Sequence, residues 1–168
     1  MQTRLIVPGL KAVNREWMGQ LSSALSSSWM SIEYPWWSND DGIDMEPVID
    51  SIAETKPDIV VAKSIGTLFT SIALNRSLIS PKYIVFLGIP KKAISEEEYG
   101  EIIKAVANEK SSFLLVQQTN DFLASFAEIR ENMKSENHEC FEIEGSDHAY
   151  DDYTQITGII NNWSFTPS

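Results

Sequence analysis

The nine residues Ile59-Val60-Val61-Ala62-Lys63-Ser64-Ile65-Gly66-Thr67 decide how this chain reads. Ile59 to Ala62 are all apolar and three of them are β-branched, which is the character of the end of a buried strand. The stretch 68–74 then reads as helix. A serine between a buried strand and a helix sits in a tight turn that lifts its hydroxyl clear of the sheet. The turn also leaves backbone N–H groups at the helix start free to receive negative charge. It demands small residues two before and two after the serine. Ala62 and Gly66 stand there, so the usual G-x-S-x-G becomes A-x-S-x-G. The same serine also suits a plain helix N-cap, and the local sequence leaves both roles open.

Working outward, apolar runs and helical stripes alternate. Upstream, Leu5-Ile6-Val7 is a short strand stopped by Pro8-Gly9. Val13, Trp17, Leu21 and Leu25 recur at spacing four, an amphipathic helix closed by Ser26-Ser27-Ser28. Residues 29–34 read as a second strand and 35–42 as a loop. Met45, Ile49 and Ile52 mark a helix with Pro47 in its first turn. Downstream, strands are expected at 83–87, 113–116 and 140–143. Ser95-Glu96-Glu97-Glu98 matches a capping box, and its glutamates suit the positive end of a helix dipole better than a metal. Tyr99, Ile102 and Val106 give that helix its buried face. Phe122, Phe126, Ile129 and Met133 mark the next helix, and Tyr153, Ile156, Ile160 and Trp163 the last. Six such alternations build a parallel sheet with helices on both faces. No repeat or linker divides the chain, so one domain over 1–168 is expected.

Composition narrows the function. The chain has 168 residues, 43% of them apolar, enough for a substantial core. Its formal net charge of −11 disfavours nucleic acid and anionic membrane surfaces. Cys140 is the only cysteine, so neither an internal disulfide nor a thiolate zinc cluster can form. Met1-Gln2-Thr3-Arg4 leads straight into a strand without an apolar leader, and no window reaches the length of a membrane span. A cytoplasmic location is expected.

In parallel sheets, ligands bind beyond the carboxyl ends of the strands. Ser64 follows strand three, Gln117-Gln118-Thr119-Asn120-Asp121 follows strand five, and Glu144-Gly145-Ser146-Asp147-His148 follows strand six. A serine, an acid and a histidine thus stand at three strand ends in the order Ser…Asp…His. With these residues the chain resembles the α/β-hydrolase superfamily over nearly its whole length. It is similar to compact serine hydrolases of the retinoblastoma-binding-protein-9 type and to short dienelactone-hydrolase-like esterases. The resemblance implies a three-layer α/β/α sandwich with a six-stranded parallel sheet in the order 2-1-3-4-5-6. There is no room before Leu5 for the two extra strands of larger members. The segment 88–95 is too short for a lid, so an open site with Pro90-Lys91-Lys92 as a rim is implied. So is a serine hydrolase acting on a small carboxylic ester or thioester, without metal or cofactor. Ser64 matches the nucleophile, His148 the general base and Asp121 the acid. The backbone N–H groups of Leu10 and Ile65 match the oxyanion hole. The expected partner is a small-molecule acyl substrate, with the chain a monomer or homodimer.

Each of these residues has a plainer reading. His148 could be a surface histidine. Asp121, or Asn120, could cap a helix beginning at Phe122. Asp147 is the rival acid, but adjacent residues rarely face each other well enough. His138 reads as solvated in a hydrophilic turn and Cys140 as a small buried hydrophobe. Lys63 stands beside the serine and could attract an anionic acyl group or pair with a surface carboxylate. Trp36 and Trp37 follow strand two near the expected mouth and could line a substrate pocket or pack in the core. The competing function is a non-catalytic interaction protein on the same fold. A flavodoxin-like nucleotide site ranks below both, because Pro8-Gly9-Leu10-Lys11 lacks a phosphate-binding loop.

Overall fold

The computed structural model describes residues 1–25, 28–40 and 42–164. A six-stranded sheet runs through it in the order β2-β1-β3-β4-β5-β6, every pairing parallel. The strands are β1 (Arg4–Val7), β2 (Met30–Ser31), β3 (Ile59–Lys63), β4 (Tyr83–Leu87), β5 (Ser112–Gln118) and β6 (His138–Ile143). The helices between them are α1 (Asn14–Ala24), α2 (Met45–Thr55), α3 (Ile65–Asn75), α4 (Glu96–Val106), α5 (Phe126–Asn132) and α6 (Tyr153–Ser164).

Strand side chains alternate between two cores. Leu5, Val7, Val60, Ala62 and Phe86 pack under α2, α3, α4 and α5. Ile6, Val61, Val85, Leu114 and Val116 pack under α1 and α6. The three layers and the strand order are those expected. Among the described residues no helix is long and apolar enough to cross a membrane.

Several local expectations needed correcting, each for a physical reason. The second strand is only two residues long. The Ile32 N–H adds one more bond to the Ile6 carbonyl, then Tyr34 turns inward to donate its hydroxyl to the Pro8 carbonyl, and Pro35 opens a short 3-10 turn. Val13 precedes α1 and is 70% exposed, so the buried stripe begins at Trp17. The helix expected from Phe122 starts at Phe126. Ser125 and Glu128 form a reciprocal capping box there, which fixes the start. His138 is not in a solvated turn. It opens β6 opposite Phe113, half-buried, with Nδ1 2.9 Å from Ser135 Oγ. The capping box at Ser95 and Glu98 is present as expected. The helix closure at Ser26-Ser27 and Asp41 of the following loop lie outside the described residues.

The turn between β3 and α3 positions everything else. A side-chain carbon at Gly66 would lie 2.4 Å from the Val7 carbonyl oxygen and 2.7 Å from that of Pro8. Both obstacles are backbone and cannot swing aside. Ala62, by contrast, is accommodated in the core. Of the two small positions in A-x-S-x-G, only the second therefore requires glycine itself. Gly66→Ala is expected to cost about 2–4 kcal/mol in urea unfolding, whereas Ala62→Gly costs about 1 kcal/mol or less. Equal costs would remove the asymmetry.

Candidate active site

Ser64 follows the last residue of β3 with φ 52° and ψ −122°. A non-glycine residue pays roughly 1–3 kcal/mol for such a backbone. Its N–H donates to the Leu87 carbonyl at 3.0 Å, and its carbonyl accepts from the Thr67 N–H at 2.9 Å and the Thr67 hydroxyl at 2.7 Å. The side chain makes no capping bond to α3. Its Oγ lies 2.8 Å from His148 Nε2.

His148 Nδ1 lies 2.6 Å from Asp121 Oδ2. The Asp121 side chain is fully buried. Burial alone would raise its carboxyl. Bonds from His148, the Leu123 N–H and the Tyr150 hydroxyl outweigh that and hold it below the ordinary carboxylate value. Asp121 caps no helix. Asp147 is turned elsewhere, accepting from Gln118 Nε2 at 2.8 Å and from the Ala149 N–H at 2.9 Å.

Residues that the sequence did not single out hold this constellation. The Tyr150 hydroxyl donates to Asp121 at 2.7 Å and accepts from the Gln118 N–H at 2.8 Å. Burial, then the Asp121 charge, pushes this phenol far above its ordinary value, so it remains a donor. Gln118 Oε1 accepts from the His148 N–H at 2.9 Å. Gln117 ties the neighbouring loops, accepting from the Ile89 N–H and donating to the Ala124 carbonyl. Gly88, at φ 67°, leaves the space that the Tyr150 and His148 rings fill. The available signal was two amides finishing an otherwise apolar buried strand, since buried amides need partners.

Leu10 and Ile65 line the same cleft as Ser64. Among the described residues neither backbone N–H has a protein acceptor. The loop carrying Leu10 is pinned at three of its carbonyls. Tyr34 holds Pro8, Asn14 Nδ2 holds Lys11 at 3.0 Å, and the indoles of Trp36 and Trp37 both donate to Leu10, at 2.9 and 2.8 Å. The two tryptophans therefore do not line the cleft. Trp36 stacks on Tyr34 and meets Phe69 edge-on, Trp37 meets Tyr34 edge-on, and both indoles orient the Leu10 peptide.

The cleft measures about 700 Å³. Exposed Val13 and Phe122 give it apolar walls, and Phe122 stands edge-on to His148 at 5.8 Å. Lys63 lines it too, buried with its side chain toward α1. Its Nζ lies 3.1 Å from Asn14 Oδ1 and 4.8 Å from the Trp17 ring centre. Burial lowers its pKa to about 8, against the weaker opposing pull of Asp151 and Asp147.

A serine on a strand-to-helix turn, at the carboxyl edge of a 2-1-3-4-5-6 parallel sheet, defines the α/β-hydrolase fold in compact form. Solved structures agree. A Paleococcus ferrophilus monoacylglycerol lipase superposes with TM-score 0.68 at 14% identity, over 97% of this chain and 95% of that one. The esterase domain of a Rhodothermus marinus protein gives 0.65 at 11%, over 96% and 85%. The RedJ thioesterase of Streptomyces coelicolor gives 0.62 at 11%, over 95% and 85%. No protein-family model matches the chain, and no curated protein matches it significantly.

The buried ammonium has a thermodynamic signature. With the folded Lys63 near 8 and its ordinary value 10.5, the unfolded chain binds more protons between those values. Stability therefore rises with pH across that window. Lys63→Met is expected to raise Tm at pH 7 by about 2–4 °C, with the gain shrinking as pH climbs past 8. A gain that persists unchanged to pH 10.5 would contradict a desolvated charge.

Proposed function

We propose that this chain is a serine hydrolase, of the compact lidless kind, cleaving a small carboxylic ester or thioester through an acyl-enzyme. One observation carries the reading: Ser64 Oγ, His148 and buried Asp121 form a continuous hydrogen-bonded line, and the same cleft is lined by Ile65 and Leu10, whose backbone amides have no acceptor among the described residues. The fold neighbours include an esterase domain, a lipase and a thioesterase, which favours ester and thioester chemistry over other uses of the fold.

In this reading Ser64 Oγ attacks the acyl carbon while His148 Nε2 takes its proton. Asp121 keeps the other proton on Nδ1 and stabilises the imidazolium. Oxygen charge on the tetrahedral intermediate falls to the Ile65 and Leu10 amides, each worth about 3 kcal/mol in such sites. His148 returns its proton to the leaving group as the carbonyl re-forms. Water then attacks the acyl-enzyme by the same route and frees the acid and Ser64.

A fluorophosphonate probe tests this directly. The parent should label covalently, with labelling abolished in Ser64→Ala and slowed at least a hundredfold in His148→Ala. A folded parent that takes no label would sink the reading. The indole clamp makes a separate prediction about kcat. Trp36→Phe and Trp37→Phe each leave one donor on the Leu10 carbonyl and should lose little. The double variant should lose about tenfold or more in kcat with KM nearly unchanged. Additive single losses would argue against a shared acceptor.

A further inference from the structure

The proposed chemistry makes no use of Lys63, yet Lys63 immediately precedes the nucleophile and lines its cleft. Only 8% of the residue is exposed. Among the described residues no carboxylate comes within ion-pair distance of its Nζ. Its two near neighbours are neutral: the Asn14 side-chain oxygen and the face of Trp17. Asn14 is itself fixed, because its Nδ2 donates to the Lys11 carbonyl, so its oxygen is left for the ammonium. An ammonium has three N–H donors, and one is committed here.

A buried cation without a counter-ion costs stability, and an apolar side chain would pack against Trp17 without that cost. Such charges concentrate where a ligand completes the pair. Asp147 and Asp151 share the cleft wall but act on Lys63 only at longer range. Asp147 is already held by Gln118 and Ala149.

We infer that Lys63 is an anion subsite, and that the substrate is an ester or thioester carrying a carboxylate a few bonds from the scissile carbonyl. The inference rests on the hydrolase reading above. Exposed Val13 and Phe122 would cover the apolar part of such a molecule, while Lys63 takes the charge. The anion can belong to the acyl chain or to the leaving group, and the two sources are separable.

The test uses two matched pairs. Mono-4-nitrophenyl adipate against its methyl ester places the charge on the acyl side. 4-Acetoxybenzoate against its methyl ester places it on the leaving side. The parent should favour the anionic member of one pair at least tenfold in kcat/KM. Lys63→Met should abolish that preference while hydrolysing the neutral members at near-parental rates and keeping fluorophosphonate labelling. No preference in either pair would overturn the inference. So would a Lys63→Met loss shared equally by charged and neutral members, which would make Lys63 a support for the Asn14 loop instead. If the parent hydrolyses none of the four, fluorophosphonate labelling judges the hydrolase reading separately, and a folded parent that takes no label sinks it. Calorimetric titration of the parent with monomethyl adipate and with 4-acetoxybenzoate then decides: binding of either that is lost in Lys63→Met upholds the subsite, and no binding of either by the parent overturns it.

Discussion

The first turn of α3 lies against the carbonyl oxygens of Val7 and Pro8, and only a residue without a side chain permits it. That contact brings the turn after β3 and the loop after β1 to one place. Without it, the amides of Ile65 and Leu10 would not share a cleft with Ser64. The loop after β1 is then held from its other side by Tyr34, Trp36 and Trp37, whose polar atoms each take a loop carbonyl. Aromatic bulk and hydrogen bonding come from the same three side chains, so packing the core also orients the peptide.

How much of this was legible depended on the range of the forces involved. Strand ends are local features, so Ser64, Asp121 and His148 could be placed at one edge from alternation alone. For Trp36 and Trp37 the sequence left pocket lining and core packing both open, and they pack against the core while donating to Leu10. An indole that is half-buried must find an acceptor for its N–H, and which carbonyl it finds is a matter of tertiary contact. Tyr150, Gln117 and Gln118 were missed for the same reason: their partners lie 7 to 32 residues away. The misplaced start of α5 is different. Ser125-x-x-Glu128 carries the same signature that was read at Ser95, but the apolar spacing from Phe122 masked it. Phe122 is instead an exposed ring beside His148.

The site concentrates features that a stable core avoids. Ser64, His148 and Tyr150 all have positive φ without being glycine, and among the described residues no carboxylate comes within ion-pair distance of buried Lys63. Each raises the energy of the folded chain. The surroundings offset this with dense polar satisfaction: Asp121 alone accepts three hydrogen bonds. Local inconsistency surrounded by consistent structure is the pattern expected where binding or chemistry is located.

The connection after β4 is a single 3-10 turn, Lys91–Ala93, between Gly88 and the capping box of α4. Pro90 and Ala93 of this span line one wall of the cleft. Nothing in that span is long enough to fold over Ser64. On the proposed chemistry, this connection then contributes no gating step of its own: it leaves the path of substrate and water to Ser64 uncovered on the β4 side throughout turnover.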